Sequence, residues 1–212
     1  MSISVDVVLV GRVQPFGDST SAIAKTAVPD SRMIGALGID GDNQADLSVH
    51  GGPDKAIHHY PRDHYSFWMD ELGVLEMLED AGAFGENIST TAMTEGDVCI
   101  GDRYRMGTAL VEISQGRQPC WKQGYRLGDP RVVSTMVRTA RCGWYYRVIE
   151  EGLVKAGDML TLSSRPQPEW TVKRVIGLLI GGAGKRDAEG VATLASMDVL
   201  APNWRARAQK MI

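Results

Sequence analysis

Residues 98–120 read VCIGDRYRMGTALVEISQGRQPC, and how this stretch folds decides the architecture of the chain. "VCIGDRYRMG" and "ALVEIS" read as two β-strands, with Gly107-Thr108 as a two-residue hairpin turn between them. The stretch ends in Arg117, Gln118, Pro119 and Cys120, and Trp121 and Lys122 follow. Cations on both sides favour the thiolate, the form of cysteine that attacks or binds metal. A cysteine kept for packing prefers apolar neighbours. On these residues alone, Cys120 is either a packing residue or a reactive thiol.

Working outward, "SVDVVLVGRV" sets Val5, Val7 and Leu9 at alternate positions and reads as a strand ending at Gly11. "GWYYRVIEEG" and "DMLTLSS" read as another strand pair. Short strands joined by glycine-containing turns predict a barrel or sandwich rather than a parallel sheet. Helices are fewer. In "YPRDHYSFWMDELG", Tyr65, Trp68, Met69 and Leu72 share one face, Pro61 suits the first turn and Gly73 the stop. "DPRVVSTMVRTA" has Asp129 placed as N-cap and Val133, Met136, Val137 and Ala140 on one face.

Past Pro166 and Pro168 the pattern becomes helical: "WTVKRVIGLLIGG" behind a Thr171 cap, then "DAEGVATLASM" and "APNWRARAQKMI". Residues 166–212 carry seven Lys/Arg against four Asp/Glu, a balance of +3, which leaves −6 of the overall −3 for residues 1–165. The expected organisation is a mainly β unit at 1–165 and a small three-helix unit at 166–212, packed on the larger one.

With 212 residues, 43% hydrophobic and 23% charged, the composition is that of a globular chain with one sizeable core. A near-balanced charge argues against a nucleic-acid binder relying on a strongly basic surface. The N-terminus does not read as a signal peptide, and no apolar run approaches the ~20 residues of a membrane helix. Cys99, Cys120 and Cys142 are odd in number and without CxxC spacing, against a disulfide framework, zinc finger or iron–sulfur cluster. A reducing cytoplasm is the expected location. Cys99 and Cys142 read as packing residues.

Two motifs fail their tests. "LIGGAGKRDAEG" lacks the first glycine and the Ser/Thr of a phosphate loop, and "DGDNQADLSVHGG" lacks the glycine and final glutamate of a calcium loop. The histidines at 50, 58, 59 and 64 have spacings that suit no single helix face, so a zinc site is not expected from them. "VHGGPDKA" ends a strand-like run, and His50 with Lys55 after two glycines is either turn chemistry or an anion site. In "GAFGENIS", Glu86-Asn87 is either a plain loop or a means of reading a heterocycle edge.

Taken in order, "LGIDGDNQADLSVHGGPDKAIHHYP", "GAFGENIS", "VCIGDRYRMGTALVEISQGRQPC" and "GWYYRVIEEGLVKAGDML" resemble the MOSC domain, named from the C-terminal part of molybdenum cofactor sulfurases, and within it the stand-alone YiiM-like bacterial branch. The resemblance implies a β-barrel followed by a small three-helix unit, and a molybdenum cofactor, a molybdopterin whose metal is ligated by Cys120. It implies reduction of N-hydroxylated compounds, hydroxylamino-purines among them. No flavin, haem or iron–sulfur signature accompanies it, so a separate reductase is expected to supply electrons. By position in the motifs, Lys25 and Thr26 match a segment holding the cofactor phosphate, Asn87 a pterin contact, and Gln118 the run into the cysteine. Lys55 and Arg117 are expected to add charge, and His50 or Glu86 to pass protons. Two departures stand out: Gly116 where relatives carry proline, and the acidic Glu86 where some eukaryotic relatives carry arginine. The alternatives are a sulfur carrier with a persulfide on Cys120, or a non-catalytic binder of the cofactor.

Overall fold

A computed structural model describes residues 2–46 and 50–212. The chain opens with β1 (Ser2–Ser4) and β2 (Val7–Gly11), a hairpin of β3 (Gln14–Phe16) and β4 (Ser19–Ser21), then β5 (Lys25–Ala27), β6 (Arg32–Gly35) and β7 (Gly38–Ile39). β8 (Ile57–His59), α1 (Tyr65–Leu72) and β9 (Ile88–Ser89) follow. The centre comprises β10 (Arg103–Met106), β11 (Ala109–Gly116), α2 (Trp121–Leu127), α3 (Arg131–Thr139), β12 (Trp144–Glu150), β13 (Gly152–Val154) and β14 (Met159–Ser164). Three helices close the chain: α4 (Val172–Leu179), α5 (Ala188–Ser196) and α6 (Pro202–Gln209).

Nine strands form the main sheet in the order β1-β14-β10-β11-β12-β8-β9-β2-β5. The N-terminal segment curls this sheet into a barrel. β1 pairs with β14, and after the break at Val5-Asp6, β2 pairs with β9 far along the same sheet. The break also resets the side-chain register, so Val5, Val8 and Leu9 are buried and Val7 is not fully so. The single strand read from this run is therefore two short ones, β1 and β2.

The hairpin forms with Met106 opposite Ala109 and Gly107 at φ +57° in the turn. Its first strand is shorter than its pattern: residues 98–102 form a turn instead, with Cys99 in an isolated bridge to Thr171. β12 and β14 are not partners. β12 lies between β11 and β8, and β14 between β1 and β10, because β13 leaves the main sheet to pair with β6. The strand-like run expected to end at His50 falls on residues 47–49, outside the described residues.

Tyr65 and Trp68 of α1 are buried, and Gly73 caps the helix. In α3 the buried residues are Val132, Thr135 and Met136, a face one position earlier than the valine spacing predicts. Asp129 accepts from the Arg131 amide at 2.7 Å, although the helix is flanked by Pro130. Thr171 caps α4 by accepting from the Arg174 amide. Of the last three helices, α4 lies against β11, whose eight residues are all buried, and α5 and α6 pack on α4 and on each other. No helix among the described residues is long and apolar enough to cross a membrane.

Candidate functional site

One cavity, open to solvent, is lined from five separate parts of the chain. Lys25 comes from β5, His50 and Lys55 from the segment before β8, and Asn87 from the loop before β9. Arg117 and Cys120 follow β11, and His58 and Tyr145 come from the paired strands β8 and β12. A second groove, lined by Gln115, Gln118, Trp121, Asn203 and Trp204 among others, shares His50, Lys55, Cys120, Lys122 and Tyr145 with the first. Cys120, partly exposed, thus stands where an inner cavity meets an outer groove.

The inner cavity is basic, but its cations are not equivalent. Lys25 is ion-paired with Asp42 at 2.7 Å, and burial, opposed by that carboxylate, lowers its pKa. Its charge is largely answered within the protein. Lys122 donates to the Thr20 carbonyl at 2.8 Å. Burial lowers the pKa of Lys55. Arg117 is 6% exposed, and its Nη1 has no partner among the described residues. A buried guanidinium nitrogen left unpaired costs free energy unless a ligand accepts from it.

His58, 4% exposed, is the counterpart of Arg117 and was not among the residues picked out by motif. Its Nδ1 lies 3.1 Å from the Gly85 carbonyl, which can only accept, so the ring proton sits on Nδ1. Burial and the neighbouring Arg117 hold its pKa well below the ordinary value, so the ring is neutral. Nε2 is therefore an acceptor, and none of the described residues donates to it. Among the described residues, the cavity wall presents a donor and an acceptor that no side chain or backbone group answers.

The remaining expected residues divide. His50 lines both compartments and is kept neutral by burial and by Lys122 and Arg117. Asn87 lines the cavity, but its amide is engaged: Oδ1 accepts from the His58 amide at 3.0 Å and Nδ2 donates to the Leu9 carbonyl at 3.2 Å. It ties β8 to β2. Gln118 lies in the outer groove, where its Oε1 accepts from Arg207 of α6 at 3.3 Å. Thr26 is exposed and outside the cavity, because neighbours on a strand point to opposite faces and Lys25 takes the inner one. Glu86 is also outside it. Its oxygens accept from the Tyr65 hydroxyl and from the Gly82 and Phe84 amides, the last two at 2.7 and 3.0 Å. It braces the loop before Asn87 and faces away from Cys120, so it is not placed to pass protons there.

The four histidines have four different tasks. His59 bonds Tyr146 and Thr90 in the barrel interior, where burial drops its pKa to about 3. His64 pairs with Glu95 at 2.6 Å. Among the described residues, no group of three or more His, Cys, Asp or Glu side chains is arranged to hold a metal ion. Cys99 and Cys142 are buried, and burial raises the pKa of both thiols.

His58 and His59 make stability depend on pH. Unfolded, each binds a proton near pH 6.5; folded, each resists it, so the unfolded state holds more protons below that pH. Stability is thus lost as pH falls from about 6.5, by about 1.4 kcal/mol per unit for each histidine. Urea unfolding at pH 7.5, 6 and 5 will show this slope, and His59→Gln will make it shallower by about 1.4 kcal/mol per unit. A slope unchanged by that substitution would contradict the assignment.

Comparison with known proteins agrees with this geometry. The MOSC domain model matches residues 46–161. Protein YiiM of Escherichia coli is 44% identical over 159 residues, covering 74% of this chain and 71% of YiiM. The crystal structure of YiiM from Geobacillus stearothermophilus superposes with a TM-score of 0.82 at 32% identity, covering 99% and 98% of the two chains. A Gibberella moniliformis protein named "Reductase" is 42% identical over 160 residues, which are 75% of this chain but only 28% of that protein. With the barrel, the ordered motifs and the match in agreement, the chain belongs to the MOSC domain family.

Proposed function

We propose that the protein is a molybdenum-cofactor-dependent reductase of N-hydroxylated compounds such as hydroxylamino-purines, with Cys120 as the metal ligand. The observation carrying this reading is the placement of Cys120, a partly exposed thiol between a basic cavity and an outer groove. Family membership and the relative named a reductase support an oxidoreductase role.

The donor set suits the cofactor. A thiolate is a soft ligand, matched to a metal that already carries dithiolene sulfurs. Arg117 Nη1 offers the phosphate or a pterin oxygen a buried donor, with Lys55 and Lys122 beside it. His58 Nε2 offers an acceptor to a ring N–H. Once bound, the cofactor supplies two-electron chemistry. The net reaction breaks the N–O bond of R–NHOH and consumes two electrons and two protons, giving R–NH₂ and water. A separate reductase supplies the electrons. Tyr145 and His50 line both compartments beside Cys120, and burial keeps the Tyr145 hydroxyl protonated by raising its pKa. In this reading the Tyr145 hydroxyl gives a proton, and the neutral His50 relays one by accepting at one ring nitrogen and releasing from the other.

The test is protein purified from a host that makes the cofactor, assayed for molybdenum and for conversion of 6-hydroxylaminopurine to adenine with reduced methyl viologen as donor. The expectation is close to one molybdenum per chain and amine formed in proportion to it. Full molybdenum loading with no amine would reject the activity. A cyanide-labile sulfur on Cys120 in metal-free protein would favour the sulfur-carrier reading instead.

A further inference from the structure

β11 breaks register just before the site. Ile113 faces Tyr146 and Gln115 faces Tyr145, so Ser114 is an extra residue with no opposite number on β12. Such a bulge bends a strand and re-aims the next side chain. Here it frees the Ser114 carbonyl, which accepts from the Ala201 amide at 2.9 Å and so fixes the start of α6. Two residues on, Gly116 gives α4 and α6 room: a Cβ there would lie 2.7 Å from Ile176 Cγ1 and 3.0 Å from Trp204 Cη2. Arg207 of α6 then reaches Gln118. The helix is seated along the run into Cys120, and its first turn brings Asn203 and Trp204 to the outer groove.

Gln115 lines that groove and is only 1% exposed. Its Nε2 donates to the Gly116 carbonyl at 3.3 Å, and because a carbonyl cannot donate, the amide cannot be turned round. Its Oε1 therefore stays as a buried acceptor, without a partner among the described residues. A buried acceptor of this kind discriminates: a ligand bringing an N–H or O–H satisfies it, and one that only accepts leaves it desolvated and unpaired.

We propose that the outer groove is the substrate compartment, that Gln115 Oε1 selects substrates with a hydrogen-bond donor beside the reacting oxygen, and that Asn203 of α6 completes the compartment. This rests on the reductase reading above and adds to it a preference for protic N–O compounds over aprotic N-oxides. It also gives the C-terminal helices a direct part in the site.

The experiment compares kcat/KM for N-phenylhydroxylamine and pyridine N-oxide in molybdenum-loaded wild type, Gln115→Met and Asn203→Ala. Gln115→Met keeps length and removes the acceptor. Its ratio of protic to aprotic rates is expected to fall about tenfold or more, with molybdenum content unchanged. Equilibrium binding of aniline to the loaded protein, read without turnover, is expected to weaken about tenfold in the same variant. Asn203→Ala, an exposed position, is expected to raise KM about threefold or more for both substrates at unchanged molybdenum content. A Gln115→Met ratio and aniline affinity equal to wild type would overturn the inference while leaving the reductase reading standing. Loaded wild type that reduces neither substrate would overturn the reading beneath it.

Discussion

Cys120→Ser is expected to leave the fold intact and to remove both the metal and the turnover. The two side chains are nearly isosteric, and the site is partly exposed and just outside the main core, so stability should change by no more than about 0.5 kcal/mol. The chemistry differs far more. A serine hydroxyl stays protonated at neutral pH and is a hard oxygen donor where a soft thiolate is required. Losing an outer partner of a metal ligand already costs about ten- to a hundredfold, so losing the ligand should cost a hundredfold or more in kcat/KM. Cys142→Ser is the informative contrast. Cys142 is fully buried, with its thiol against the Met136 carbonyl, so serine there should lower stability and leave molybdenum content alone. Metal analysis, thermal unfolding and rates on the two variants separate ligand from packing residue.

Gly143→Ala should have the largest effect on folding. Gly143 sits at φ +73°, and a Cβ there would come within 2.3 Å of the His59 carbonyl oxygen and 3.0 Å of His58 Nε2. The first obstacle is backbone in the paired strand, which cannot swing aside. The same glycine accepts from the Arg117 amide at 3.0 Å and donates to Glu95 at 2.6 Å. Moving it displaces β8 from β12, and with them His58, Arg117 and the buried His64–Glu95 pair. A loss of more than about 3 kcal/mol is expected, with cofactor retention lost in whatever protein still folds. Gly157→Ala calibrates it: φ is +86° but nothing lies within 4 Å, so only backbone strain of about 1–2 kcal/mol remains. Urea midpoints of the two variants should differ accordingly; equal midpoints would show that the close approach of β8 and β12 is not what Gly143 protects.

How much of this was legible in the sequence follows from what each signal depends on. The β10–β11 hairpin was, because its turn and its pairing are local. The Thr171 cap and the buried side of α1 were legible for the same reason. The partnership of β12 was not: "DMLTLSS" is near it along the chain, whereas its real neighbours are set by barrel closure through the N-terminal segment. α2 was hidden by Gly124, which is kept because a Cβ there would meet Asp129 and Pro130 at 3.0 and 3.2 Å. At the site, motif resemblance named Lys25, Asn87 and Cys120, residue chemistry added His50, Lys55 and Arg117, and the fold brings these six to one cavity. It could not say which way a side chain points. Period-two alternation sends Thr26 outward, and hydrogen bonds to its own loop turn Glu86 away from Cys120. The same alternation separates His58 from His59, one for the cavity and one for the core; a histidine doublet on a short strand was the available signal. Gln115 depends on a one-residue bulge, which no local pattern announces.

The central claim is a bond between Cys120 and molybdenum, and X-ray absorption at the molybdenum edge measures it directly. Wild-type protein loaded with cofactor is predicted to show three sulfur neighbours, two from the dithiolene and one from the protein, and any metal kept by Cys120→Ser only two. A sulfur count identical in the two proteins would contradict the account.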